Sequence, residues 1–141
     1  MMRKAILLSI LAAALLPGAS WSNDLKLEGF IRSLVDLKTV GNTCSSYLSN
    51  SPLAYMNEVD KYFLVLGQPV PQPIDAATSR SLSRLVKQHA AYICSQKMNQ
   101  AYSNYSRHAT VYMESKPDNW PPAPQVRFPK WCNDSLCSDY Q

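Results

Sequence analysis

The chain has 141 residues, enough for one domain and too few for a second sizeable one. With 46% hydrophobic and 17% charged residues, it is neither disordered by composition nor a membrane bundle. A net charge of +4, scattered along the chain, excludes a dedicated nucleic-acid binder.

Arg3 and Lys4 give a short positive start, Ala5 to Leu16 is apolar but for one Ser, and Pro17, Gly18, Ala19 and Ser20 follow. A charged opening, a short apolar stretch and a small-residue exit predict a secretory signal peptide over 1–22, cut after Ser20 or Ser22. The apolar run is shorter than the roughly 20 residues a membrane span needs, and no Cys near the cut offers a lipid anchor. The expected location is the periplasm or the exterior, with no stable membrane anchor after cleavage. Processing leaves 12 basic against 10 acidic residues, a net +2 that by itself points to no anionic partner.

Leu27, Phe30, Leu34, Leu37, Gly41, Cys44 and Leu48 recur at alternating steps of three and four. That predicts a first helix over 25–48 with one continuous apolar seam, in which Gly41 lets a neighbour approach closely. Ser51 and Pro52 read as an N-cap and a first-turn proline. The second helix they open carries Tyr55, Val59, Tyr62 and Leu66 on its stripe, Met56 and Phe63 beside it, and Gly67 as its stop. Pro69 to Pro73 is an extended connector.

Asp75 is placed to cap a third, long helix reaching about Ser115. Its first half carries Leu82, Val86, His89 and Ile93; its second carries Cys94, Met98, Ala101, Tyr105, His108 and Tyr112. These stripes sit more than about 90° apart, so the helix either changes partners or breaks near Cys94. From Lys116 onward, Pro117, Pro121, Pro122, Pro124 and Pro129 end the helix. Trp120, Phe128 and Trp131 are too apolar for a free tail, so 116–141 is expected to lie across the helices as part of the same domain as 23–115. The fold class is an all-α, disulfide-stapled bundle of three main helices.

All four cysteines, Cys44, Cys94, Cys132 and Cys137, follow the signal, and an even count in an exported chain predicts two disulfides. The seams favour Cys44 with Cys94, and the short spacing favours Cys132 with Cys137. No paired Cys/His spacing suits zinc, and the four residues between Cys132 and Cys137 do not make a thioredoxin-like pair. His89 and His108, on one straight helix, would lie roughly 28 Å apart and share no metal; each is expected to be partly buried and hydrogen-bonded. No nucleophile and base converge, and no phosphate loop is present, so no catalytic residue, metal or cofactor is expected. The stretch from Met98 to His108 mixes Tyr, Asn, Ser and Arg, the side chains of adaptable recognition surfaces. Tyr102, Asn104 and Arg107 are therefore candidate partner-binding residues.

Tyr112-Met-Glu-Ser-Lys-Pro117, then Trp120-Pro-Pro-Ala-Pro124, then Trp131-Cys132 resembles the end of the small helical immunity proteins of type VI secretion systems. That family ends on a Tyr-Leu, Pro, Pro-Ala, Pro-Cys pattern after a Cys and a Gln-containing helix, where Cys94 and Gln100 stand here. Gly41-Asn42 before Cys44, then Tyr62 and Gly67, is similar to its N-terminal half, so the likeness spans about two-thirds of the processed chain. The family's second cysteine, near 62–67, is missing, Gln125 to Lys130 replaces its Leu-rich helix, and Cys137 is extra, so no effector-facing residue is carried over. The resemblance implies a periplasmic protein that binds and neutralises a cell-wall-cleaving toxin, often as a homodimer. It also implies Cys94 with Cys132, leaving Cys44 for Cys137.

The expected function is therefore non-catalytic binding of another protein, with toxin immunity foremost. The alternatives are an accessory part of an envelope secretion or conjugation machine, and a periplasmic chaperone.

Overall fold

The computed structural model describes residues 21–48 and 51–126. These residues form four α-helices and one 3-10 turn, and no strand occurs among them. The helices are α1 (Trp21–Cys44), α2 (Asn57–Val65), α3 (Ala76–Ser83) and α4 (Lys87–Ser115), with the 3-10 turn at Pro52–Tyr55. The expected signal peptide, apart from its last two residues, and Phe128, Trp131, Cys132 and Cys137 lie outside the described residues.

The first seam packs as its spacing predicts. Leu27, Phe30, Leu34, Leu37, Gly41, Cys44 and Leu48 are all buried, although the helix ends at Cys44 and turns carry the chain to Leu48. The seam faces α4, and the two helices run antiparallel. At one end Cys44 and Cys94 form a disulfide with Cα atoms 5.5 Å apart. At the other, Phe30 stacks on Tyr112 with ring centroids 3.8 Å apart. The bond between Cys44 and Cys94 displaces the pairing of Cys94 with Cys132, and of Cys44 with Cys137, that the family resemblance implies.

The second helix begins later than expected. Ser51 makes no side-chain capping bond, and Pro52–Tyr55 forms a 3-10 turn before α2 starts at Asn57. Proline fixes the first turn, but the Ser51 hydroxyl does not satisfy its amides. The far end follows expectation. Gly67, at φ 73°, donates its amide to Leu64 O, and Gln68 donates to Phe63 O, a left-handed glycine cap. Lys38 of α1, almost wholly buried, holds α2 through an ion pair with Asp60 at 2.8 Å.

The proline connector is fastened to the end of α1, where Asn42 Nδ2 donates to Pro73 O and the Asp75 amide donates to Thr43 Oγ1. Asp75 caps α3 as predicted, accepting from the Thr78 amide and hydroxyl at 3.0 and 2.6 Å. Those bonds, the hydroxyl's above all, hold its carboxyl below the usual carboxylate range.

The long third helix is two helices, and the break falls at 84–86 rather than near Cys94. Val86 is extended, with ψ 149°. On one unbroken helix Leu82 would stand about 180° around from Ala91. The break removes that mismatch: Leu82, Ala90, Ala91, Cys94 and Met98 are all buried. Of the predicted stripe, Val86 and His89 turn outward, whereas Ile93 packs partly against the core. Val86 is 64% exposed, and His89 is exposed rather than partly buried.

Close approach to α1 occurs at Gly29, not at Gly41. A methyl on Gly29 would lie 3.1 Å from Cε1 and Nδ1 of the half-buried His108. A methyl on Gly41 would lie 3.5 Å from Pro52 Cβ and 3.6 Å from Met56 Cε, an ordinary contact distance. Gly41→Ala should therefore gain about 0.5–1 kcal/mol from helix propensity and raise the melting temperature by several degrees. Gly29→Ala should lower it, because crowding in a packed interface costs about 1–3 kcal/mol. Thermal melts followed by circular dichroism check both signs.

Candidate functional site

The chain leaves α4 at Lys116, turns, and returns along the same helix. Pro117 O accepts from the Trp120 amide at 3.0 Å, and Lys116 Nζ donates to Trp120 O at 3.0 Å. Beyond the turn, Tyr112 donates its hydroxyl to Pro121 O at 2.6 Å, and Tyr105 donates to Pro124 O. The spacing has a geometric reason. Seven helical residues advance about 10.5 Å and return to the same face. Three residues of polyproline chain advance about 9.3 Å and return to the same side. Tyr105 and Tyr112 therefore meet Pro121 and Pro124 in register. Of the expected tail, 116–126 lies within the described residues, where Pro124 and Val126 are buried and Trp120 is half-buried.

The two phenols belong to one aromatic cluster. Phe30 lies at its centre, stacked on Tyr112, edge-on to Tyr62 at 5.6 Å and tilted against Tyr105 at 5.9 Å. Tyr62 donates to the Tyr112 hydroxyl at 2.9 Å, so one chain of hydrogen bonds runs from α2 through α4 to the tail. Removal from water pushes the Tyr62, Tyr105 and Tyr112 phenols up from the ordinary tyrosine value. Donation to Tyr112 pushes Tyr62 further, while for Tyr112 that same bond works in the opposite direction.

This clamp leaves two grooves flanking α2. The larger, about 930 Å³, runs between the tail from Pro121 to Val126 and the α2 face of Asn57, Glu58, Lys61, Tyr62 and Val65. The smaller, about 340 Å³, is lined by Ile31, Val35, Phe63, Leu66, Gln68, Pro69, Pro71 and Trp120. Between and beside them, Leu64 and Val65 are 65% and 70% exposed, on the side of α2 where an amphipathic helix carries polar residues. Lys61 and Glu58 pair at 2.8 Å on the rim. Apolar walls with a charged, exposed rim match the anatomy of a protein-binding surface.

The sequence candidates lie elsewhere and do not form one face. Arg107 Nη2 donates to Asn104 Oδ1 at 3.2 Å on the outside of α4. Tyr102 stands about 140° around the helix from Arg107 and packs partly against the core. Leu64 and Val65 escaped the sequence reading, although two large apolar residues off the buried stripe were the available signal. Among the described residues, no group of three or more His, Cys, Asp or Glu could hold a metal, and no helix is long and apolar enough to cross a membrane.

No protein-family model matches the chain, and neither the curated proteins nor the solved structures yield a significant match.

Tyr112→Phe should cost about 1–3 kcal/mol, because it strands the Tyr62 hydroxyl and the Pro121 carbonyl together. Amide exchange over 116–126 should rise more than exchange in α1. A phenol whose folded pKa is raised contributes stability that is complete below the unfolded value near 10 and is lost as pH climbs towards the folded value. Absorbance titration at 295 nm should show three of the eight tyrosines ionising only as the fold is lost. A single smooth rise near pH 10 from all eight would contradict the clamp.

Proposed function

We propose that this chain is an exported, non-catalytic protein that binds another protein and serves as an immunity protein against a cell-wall-degrading toxin. The observation that carries the binding reading is the α2 surface, where Leu64 and Val65 stand exposed between two grooves. Aliphatic side chains at such exposure are accounted for when a partner covers them. The surface sits on a stiff support. The Cys44–Cys94 bond closes a loop of fifty residues, worth about 4 kcal/mol by chain entropy, and the phenol clamp fixes one groove wall.

Export is supported by the charged, apolar and small-residue leader and by the disulfide, which persists in oxidising compartments. Immunity, rather than a part in a secretion machine, is supported by the likeness of the segment from Tyr112 to Cys132 to immunity proteins of type VI systems.

Contact-dependent competition tests the reading directly. Native-host cells deleted for this gene should be lysed by unmodified siblings and be protected again by the gene in trans. The Leu64→Asp, Val65→Asp double variant should fold with a melting temperature within a few degrees of the parent yet fail to protect. Equal survival of deleted and parental cells would overturn immunity, and a deletion that instead stops export of other proteins would establish the secretion-machine reading.

A further inference from the structure

The overall charge balance conceals a local asymmetry. From residue 62 to residue 113 the sequence has five basic residues and one acidic one. The acidic residue, Asp75, is occupied: it caps α3 through Thr78 and faces Lys97. Arg80, Arg84 and Lys87 are exposed, and none takes part in an ion pair among the described residues. Arg80 lies in the last turn of α3 and Arg84 caps its C-terminus four residues on, still in right-handed helical conformation, with about 6 Å expected between their Cβ atoms. Lys87 opens α4 three residues later, no more than about 11 Å from Arg84 along the chain. The break at 84–86 brings them to one elbow and leaves Val86 64% exposed between them.

We infer that this elbow is a second docking surface, separate from the α2 grooves, and that it takes an acidic segment of another protein, rich in Asp and Glu. Three neighbouring cations, none of them in an ion pair among the described residues, create a field that draws carboxylates. The two guanidinium groups match carboxylate geometry with paired hydrogen bonds, and Val86 supplies a small apolar centre.

Among the described residues, a second copy of this chain offers the elbow little complement. Glu28, Asp60 and Glu58 are paired internally with Arg32, Lys38 and Lys61. Of the remaining described acids, Asp24 and Asp36 stand on α1, and Glu114 and Asp118 flank Lys116. A membrane is a poorer fit, because the two bulky exposed apolar residues, Ile74 and Val86, flank opposite ends of α3, and the exposed positions between them include Ala76, Ala77, Ser81 and Ser83, so no continuous apolar face forms.

The test uses the processed full-length chain and a fluorescein-labelled, Glu-rich dodecapeptide, read by anisotropy at low and at physiological salt. Binding is expected at low salt and should weaken steeply with added salt. Arg84→Glu should weaken it about ten-fold, equivalent to about 1.4 kcal/mol. Arg32→Glu changes the net charge identically, at a residue paired on α1, and should leave binding within about two-fold. The Arg80→Glu, Arg84→Glu double variant should abolish binding while keeping the parental circular-dichroism melt. Equal weakening by Arg84→Glu and Arg32→Glu would overturn the proposal in favour of a net-charge effect. Sedimentation with vesicles containing phosphatidylglycerol, without peptide binding, would overturn it in favour of a lipid surface. Neither outcome bears on the α2 surface, whose failure is read separately by Leu64→Asp and Val65→Asp.

Discussion

The antiparallel pairing of α1 with α4 is the constraint on which the rest of the structure depends. It is fixed near both ends by unlike means: the Cys44–Cys94 bond at one and the stack of Phe30 on Tyr112 at the other. Along α1 these anchors are fourteen residues apart, about 21 Å; along α4 they are eighteen apart, about 27 Å. A pair of helices tied at both ends can neither slide nor rotate freely. The close approach of Gly29 to His108 therefore has one register available to it.

Every other element takes its place from that pair. The 3-10 turn covers Gly41, α2 is held by Lys38 and Tyr62, and the proline connector is caught by Asn42 and Thr43. The returning tail is set by two phenols seven residues apart on α4. Prolines suit that strand, since they lack the amide that a lone extended segment would leave unpaired, and their carbonyls are what the phenols bind. The larger groove exists because the tail is held to α4 while α2 is held to α1. The binding surface is thus a consequence of the frame rather than an addition to it.

What could be read from the sequence is what periodicity encodes. The seven seam positions from Leu27 to Leu48, the glycine cap at Gly67, the Asp75 cap and the pairing of Cys44 with Cys94 all follow from spacing and residue type on a single segment or a facing pair. What could not be read depends on a competition between elements. No glycine or proline marks the break at 84–86; it lets Leu82 and Ala91, which a single straight helix would set on opposite sides, both pack into one core. The stripe through Val86 and His89 was good helical spacing that lost to a neighbouring stripe with smaller residues, Ala90 and Ala91, able to approach α1. Tyr102, Asn104 and Arg107 have recognition chemistry but no shared face, whereas Leu64 and Val65 gain their meaning from grooves that only the assembled tail creates. The basic elbow was legible in spacing, because Arg80, Arg84 and Lys87, four and three residues apart, would share a face even on the unbroken helix the sequence predicts.

Peptide mapping of the non-reduced, processed protein tests the frame most directly. Proteolysis under conditions that block thiol exchange should release one linked peptide pair joining the segment around Cys44 to the segment around Cys94, with the two Cα atoms 5.5 Å apart in the fold. A linked peptide joining Cys94 to Cys132 would contradict it. In that case the tail, not α1, would be bonded to the middle of the chain, and α1 would lose the anchor that sets its register against α4.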